Sequence, residues 1–385
     1  MRDRPPRIIF LSHLDLNLFR FRLPIMRALV ARGCEVYALC PDGEFSGRFA
    51  RFGVRHISYR INRSSLNPFR EPVVIGVLAR RLRQLAPDLL HSFMMKPNIY
   101  GGIAGRLAGV PRKVASVTGL GSFYIKTPAG VIPRLSRWGL DRLYRTALGR
   151  MDKVIFYNQD DRAEFLGLGI CGERQSVIIP GSGVDTDYFV PSARDKNGDP
   201  VVVTMAARLL RDKGVHEFLA AAEALKGRWG HRVCFQIAGA EDPGNLWSAD
   251  QALLEGSASQ GIIRRLGFLE DIRGVLSGTD IYALPSYREG MPVSVLEAMS
   301  MALPVVATNA PGCRETVLDG VNGFQVPVRD AQALAEAIER LVRDPVLRRQ
   351  FGAAGRRRAE QMFSIGKIVE AHLAIYRELL PGSGI

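Results

Sequence analysis

Short runs of strand-forming apolar residues recur along this chain, each followed by a segment whose apolar positions repeat at helical spacing. RIIFLS (7–12) is the first such run, and RFRLPIMRALVARG (20–33) follows it. That segment sets Leu, Met and Ala on one helical face and Arg27 and Arg32 on the other, with Gly33 as its stop. CEVYALCPDG (34–43) predicts a second strand and turn, EPVVIGVLARRLRQLAP (71–87) a helix, and DLLHSF (88–93) a third strand. NIYGGIAGRLAG (98–109) and KVASVTGLG (113–121) predict the next helix and strand, and MDKVIFYNQ (151–159) and QSVIIPGSGVD (175–185) two later strands. Strands alternating with helices at this spacing predict the α/β class with a doubly wound parallel sheet.

The pattern then starts again. PVVVTMAAR (200–208) reads as a first strand, VHEFLAAAEALKG (215–227) as a helix and VCFQIAG (233–239) as a second strand. DQALLEGSASQG (250–261) is the following helix and RRLGFL (264–269) a short strand. IYALP (281–285), a helix over 293–301 opened by Pro292 in its first turn, and LPVVAT (303–308) continue the alternation. The polar SARDKNGDP (192–200) is the expected linker. Two Rossmann-like domains facing a cleft follow from this, at 1–192 and 193–365, with a last helical segment over 366–385 that contains IVEAHLAIYRELL.

Composition narrows the class. The 385 residues are 47% hydrophobic and 23% charged, which fits a globular chain of two or three domains. No apolar run approaches the ~20 residues of a spanning helix, and MRDRPPRIIFLSHLD lacks the long apolar core of a signal peptide. Five cysteines in no metal-type spacing suit reduced thiols in the cytoplasm. The net charge of +14 is uneven: residues 1–190 hold 29 Lys and Arg against 15 Asp and Glu, and residues 191–385 hold 23 against 23. So basic a first half predicts an anionic partner, whether nucleic acid, an anionic membrane surface or a phosphorylated acceptor.

The stretch 283–330 carries the candidate chemistry. A helix N-terminus opening after a glycine at a sheet's carboxyl edge suits a phosphate, with Glu289 before it and Glu297 inside the helix. Glu289 and Glu297, joined by GMPVSVL and followed by ALPVVAT, Gly-Cys-Arg-Glu (312–315) and Asp-Gly-Val-Asn-Gly-Phe (319–324), resemble the E-x7-E signature of family 4, the retaining glycosyltransferases of the GT-B fold. The resemblance implies that Glu289 contacts the donor sugar and Glu297 the ribose hydroxyls. Backbone around Gly290, Met291, Pro292 and Val293 would close on sugar and phosphate. Arg208 and Lys213 in ARLLRDKG look like the family's R-x4-K pair, which grips the donor diphosphate. A guanidinium and an ammonium there would neutralise charge developing on the leaving nucleoside diphosphate. The loop 239–245, beginning at Gly239, would pass the diphosphate, and Phe268 and Leu269 the base. The resemblance also implies that the last helix crosses back onto the first domain.

The first half departs from the general family. Its loop after the first strand is SHLDLNLFRFR rather than glycine-rich, and Thr118 stands where many members place a histidine. His91, in LLHSF, is the nearest histidine in a comparable position, readable as catalytic or as structural. Asn17, Phe19 and Arg20, HSFMMKPNIYGG (91–102), TGLG (118–121) and PGSGVD (180–185) resemble the subgroup of bacterial N-acetylgalactosaminyltransferases that extend diphospho-undecaprenol-linked saccharides. The implied acceptor contacts are Asn17, Arg20, Lys96, Asn98 and Thr118, and the implied partners a UDP-sugar and a polyprenyl-diphosphate-linked glycan. The implied location is peripheral, on the cytoplasmic face of an anionic inner membrane.

Asp185-Thr186-Asp187 is formally a D-x-D metal motif, but its context reads as a turn, and no metal or other cofactor is expected. No G-x-G-x-x-G follows IIFLSHLDL or QIAGAEDPGN, against a nicotinamide or flavin site. In PRLSRWGLDRLYRTALGRMDK (133–153), Leu135, Trp138, Leu143, Ala147 and Met151 recur at helical spacing among arginines. Such a helix lies on an anionic bilayer or packs on the first sheet. Two rivals remain. Hydrolysis or epimerisation on the same frame is disfavoured for a glycosidase by two glutamates on one side of the site. A basic nucleic-acid-binding protein is disfavoured by the lack of a recognisable module, and no nucleic acid is expected.

Overall fold

The computed structural model describes residues 4–59, 61, 71–120, 131–191, 200–242, 245 and 247–385, with side chains of the helix opening at Val131 described from residue 137 onward. The chain divides into two compact units, residues 1–182 with 366–385, and residues 183–365.

Seven strands form the sheet of the first unit: β1 (Arg7–Leu11), β2 (Glu35–Leu39), β3 (Val54–Ile57), β4 (Leu89–Phe93), β5 (Arg112–Val117), β6 (Lys153–Phe156) and β7 (Ser176–Ile178). All pair in parallel in the order β3-β2-β1-β4-β5-β6-β7. Helices α1 (Asp15–Phe21), α2 (Leu23–Val30), α3 (Glu71–Leu85), α4 (Met95–Leu107), α5 (Val131–Leu148) and α6 (Gln159–Gly167) connect them. The helix expected over 20–33 is shortened to α2, and α1 forms within the segment 12–22 expected as a loop. Arg22 leaves helical geometry at φ −121, and Pro24 stands in the first turn of α2, where its missing N–H loses no bond. Strand β3 has no counterpart in the expected elements, because VRHI is a four-residue edge strand without an apolar run. The core of this unit joins Ile9, Leu11, Leu90 and Ala115 of the sheet to Leu78, Leu82, Ala104 and Leu148 of the helices.

Helix α5 corrects one expected face. Tyr144, Ala147, Leu148 and the following Met151 are buried, whereas Trp138 is 63% and Leu143 50% exposed. Leu135 lies outside the described side chains. Two of its arginines serve the fold: Arg137 pairs with Glu164 at 2.5 Å, and Arg145 donates to the carbonyls of Leu168 and Gly169 at the end of α6.

The second unit repeats the plan. Strands β8 (Val201–Ala206), β9 (Val233–Ala238), β10 (Ile263–Gly267), β11 (Ile281–Leu284), β12 (Val305–Thr308) and β13 (Gly323–Val326) form a parallel sheet in the order β10-β9-β8-β11-β12-β13. β11 and β12 are buried along their whole length, as their unbroken apolar runs require of strands covered on both faces. The helices are α7 (Val215–Trp229), α8 (Gln251–Ser259), α9 (Arg273–Ser277), α10 (Val293–Ser300), α11 (Ala331–Arg343) and α12 (Pro345–Arg358). The division of the chain precedes the polar 192–200, whose residues 192–199 lie outside the described ones. Val184 already bridges to Ser364, and Arg356 donates to the carbonyls of Thr186 and Phe189.

The last helix, α13 (Ile365–Leu379), belongs with the first unit. Its Tyr376 hydroxyl meets His91 of β4 at 2.6 Å. In both sheets the strand order reverses direction once, between β1 and β4 and between β8 and β11. The crevice outside the carboxyl ends of such a strand pair is where doubly wound sheets bind ligands.

Candidate active site

In the second unit the switch point is built from the loops after β8 and β11. The first runs from Ala207 to Gly214, and Gly214, at φ +76, packs so closely on Pro285 that a Cβ would lie 2.1 Å from its carbonyl oxygen. That contact draws Lys213 against the loop after β11. Lys213 Nζ donates to Glu289 Oε1 at 2.6 Å, and the Ser286 hydroxyl donates to the same oxygen at 2.8 Å. Both members of the ion pair are mostly buried, at 13% and 16% side-chain exposure. The loop is further fixed by the Glu289 N–H on the Pro311 carbonyl (2.9 Å), the Tyr287 N–H on the Asp212 carbonyl (2.8 Å) and the Thr308 hydroxyl on the Ser286 carbonyl.

Asp212, buried at 6% exposure, sits within electrostatic reach of Lys213, Glu289 and Arg208. Burial raises its carboxyl above the usual range, and the Lys213 ammonium opposes that shift. Arg208 is half-exposed and reaches Asp242 at 3.5 Å, on the loop after β9. Lys213 and Glu289 are therefore in direct contact, while Arg208, on the same loop as Lys213, turns to Asp242.

Helix α10 begins at Val293 as expected, but Pro292 is its N-cap residue (φ −75, ψ 105) and not part of the first turn. No side chain caps that terminus. Gly290 and Met291 are buried, Val293 and Glu297 half-buried. Under them the fully buried Tyr282 donates to the Ala206 carbonyl at 3.0 Å. Burial, then the charges of Glu297 and Glu289, push its phenol up, so both carboxylates lie near one buried hydroxyl.

A pocket of about 320 Å³ lies at the carboxyl ends of β9 and β10, lined by Leu209, Ile237, Gly239, Gly267, Phe268 and their neighbours. Gly239 passes so close to the chain that a Cβ would lie 1.7 Å from the Ala207 carbonyl oxygen. Phe268 is 62% exposed at the lip. Leu269 is half-buried and not part of the lining. Residues 243 and 244 of the loop expected beside a diphosphate lie outside the described residues. Asp212, Ser286 and Tyr287 were not anticipated, since no spacing in the sequence marks them.

Three expected residues of the first unit are buried. His91 is fully buried, with Nδ1 on Tyr376 Oη and Nε2 on Ser116 Oγ at 2.8 Å. Burial holds its imidazole well below its ordinary pKa, hence neutral, and both nitrogens are engaged; it is a core histidine, not a catalytic one. Asn98 is fully buried and donates to the Ser116 carbonyl, and Lys96 is buried against Glu71 at 3.4 Å. Asn17 and Arg20 on α1 and Thr118 after β5 remain half-exposed at the carboxyl edge of the first sheet. Asp185-Thr186-Asp187 is a turn, in which Asp185 Oδ1 accepts from the N–H groups of Asp187 and Tyr188.

Family models match both units: "Glycosyltransferase Family 4" over residues 24–188 and "Glycosyl transferases group 1" over residues 190–358. The N,N'-diacetylbacillosaminyl-diphospho-undecaprenol alpha-1,3-N-acetylgalactosaminyltransferase of Campylobacter jejuni is 31% identical over 97% of this chain and 99% of its own length. This chain belongs to glycosyltransferase family 4. A second relative of the family 4 chain is the UDP-Gal:alpha-D-GlcNAc-diphosphoundecaprenol alpha-1,3-galactosyltransferase of Escherichia coli, 28% identical over 70% of each chain. A solved glycosyltransferase from Rickettsia africae superposes with a TM-score of 0.79 at 19% identity, covering 99% of this chain and all of its own, which shows the shared GT-B fold. The glutamate pair and the Lys213 loop of this glycosyltransferase thus fall in the matched group 1 region, and β4 in the matched family 4 region.

Proposed function

We propose that this glycosyltransferase moves an N-acetylhexosamine from a UDP-sugar, with retention of configuration, onto an undecaprenyl-diphosphate-linked saccharide. The observation that carries the reading is the Lys213–Glu289 contact at the β8/β11 switch point, in a chain aligned end to end with the Campylobacter enzyme. The Escherichia coli relative's donor, UDP-Gal, supports a uridine nucleotide in the 320 Å³ pocket. Lys213 and Arg208 take the diphosphate, Glu289 the sugar hydroxyls and Glu297 the ribose. Glu289 is held by an ammonium and a hydroxyl, which suits orientation rather than nucleophilic attack. The C1–O bond to the diphosphate breaks as the acceptor oxygen bonds C1 on the same face, and the acceptor proton passes to the leaving phosphate. Cationic neutralisation of that phosphate stands in for a metal, so transfer proceeds in EDTA. The acceptor docks on the first unit through Asn17, Arg20 and Thr118, with the basic surface of that unit on the cytoplasmic face of an anionic membrane.

The test is calorimetric titration with UDP, then transfer from UDP-sugars to a short lipid-diphosphate saccharide, read by mass spectrometry and anomeric NMR. Arg208→Ala with Lys213→Ala should keep the fold and lose transfer, each group being worth about 3 kcal/mol of barrier. Near-normal transfer by the double variant, or unattached sugar or an isomerised nucleotide sugar as the product, would reject the reading.

A further inference from the structure

Among the described residues, four other than glycine have positive φ: Ala86, Met94, Ala302 and Arg329. Arg329, at φ +62, stands directly before Asp330, whose carboxylate caps α11 by accepting from the Ala333 N–H. A side chain strains the left-handed region where glycine is at ease, and such strain tends to persist where the side chain is used. The Arg329 guanidinium lies over the ring of Tyr287, 4.7 Å from its centroid. The Tyr287 hydroxyl donates to Glu217 Oε1 at 2.6 Å, in the first turn of α7. Its N–H holds the Asp212 carbonyl, next to Lys213. Tyr287 therefore ties the Glu289 loop both to α7 and to the Lys213 loop, and Arg329 closes over it from outside.

We propose that Arg329 is a positioning residue of the donor site: acting through Tyr287, it holds the loop 286–289 so that the Glu289 carboxylate keeps its place on Lys213. The proposal rests on the donor-site reading above. It accounts for an arginine at a backbone position that glycine would occupy without strain. Burial and the Glu217 carboxylate push the Tyr287 phenol up to about 12, so the hydroxyl stays a donor through the neutral range.

The test uses the full-length protein and its lipid-diphosphate assay, with Arg329→Gly, Arg329→Lys, Tyr287→Phe and the double variant R329G/Y287F. R329G should melt at or above the wild-type temperature, because glycine relieves the strain. Its kcat should still fall about tenfold with donor KM within about twofold, as expected when alignment rather than binding is lost. R329K should recover part of the rate, and R329G should cost less in the Y287F background than alone. Wild-type kcat in R329G would overturn the proposal. So would kcat and melting temperature falling together, the mark of plain structural damage. The Arg208→Ala/Lys213→Ala protein, assayed alongside, separates the two readings: if it is inactive and R329G is unaffected, only the present proposal falls.

Discussion

Glu289 is held by neighbours that leave little room, and Gly312 shows how little. At φ +83, a Cβ on Gly312 would stand 2.4 Å from the Glu289 carbonyl oxygen and 2.9 Å from its Cβ. Gly312→Ala must therefore push the Glu289 loop aside as well as strain its own backbone, at a cost of about 1–3 kcal/mol. The expected outcome is a melting temperature a few degrees lower and a loss of transfer larger than that drop explains, measured by calorimetry and the transfer assay. Wild-type values in both would show the loop to be slack. At this scale residue types at motif spacing marked Glu289, Glu297, Arg208 and Lys213 as candidates, and the fold brings Lys213 and Glu289 into contact. It could not mark Asp212, Ser286 or Tyr287. The contact they support joins positions 76 residues apart, and only the folded sheet brings those together. His91 was misleading for a related reason: a strand-end position does not tell whether the side chain faces solvent or a packed helix.

Helix α13 shows what an element adds. It brings the fully buried His372 and Tyr376 onto β4, where His91 and His372 lie with ring centroids 5.8 Å apart. Burial lowers His372 from 6.5 to about 4, and burial also holds His91 far below its ordinary value. Both imidazoles are thus neutral in the folded chain while the unfolded chain protonates them near pH 6.5. Stability is full above that pH and declines as pH falls from about 6.5 toward 4, by about 1.4 kcal/mol per pH unit for each such group. His372→Leu should remove one share of this slope. Denaturant titrations at pH 7 and pH 5 should then show a smaller loss for the variant than for wild type, and equal losses would refute the assignment. The alternation of strands and helices was readable because buried parallel strands such as β11 and β12 are continuous apolar runs. The break between α1 and α2 was not. Arg22, which ends α1, is 1% exposed with its guanidinium 4.6 Å from the Phe93 ring centroid, so a residue that reads as polar helix surface is core. The amphipathic α11 had a legible pattern, with Leu334, Ile338 and Leu341 buried, yet did not figure among the expected elements.

For the whole molecule, the asymmetry of charge is the property to test. The +14 excess resides in residues 1–190, and among the described residues no helix is long and apolar enough to cross a membrane. Attraction of so basic a half to an anionic bilayer is electrostatic and falls with salt. Helix α5 offers the chemistry: Trp138 and Leu143 face outward, Arg142 lies 5.9 Å from the Trp138 ring, and Arg150 is exposed just past its end. Arg137 and Arg145 are spent on the fold, so they are poor probes, and Arg142 and Arg150 are the ones to change. With each arginine near an anionic surface contributing about 1 kcal/mol, Arg142→Ala with Arg150→Ala should weaken binding to anionic vesicles roughly thirtyfold at low salt. Trp138→Ala should weaken it at high salt too, because its share is apolar. Co-sedimentation of the intact chain with anionic and zwitterionic vesicles, at low and high ionic strength, measures both terms. No binding to anionic vesicles at either ionic strength would leave the first unit's charge to the proposed lipid-diphosphate acceptor.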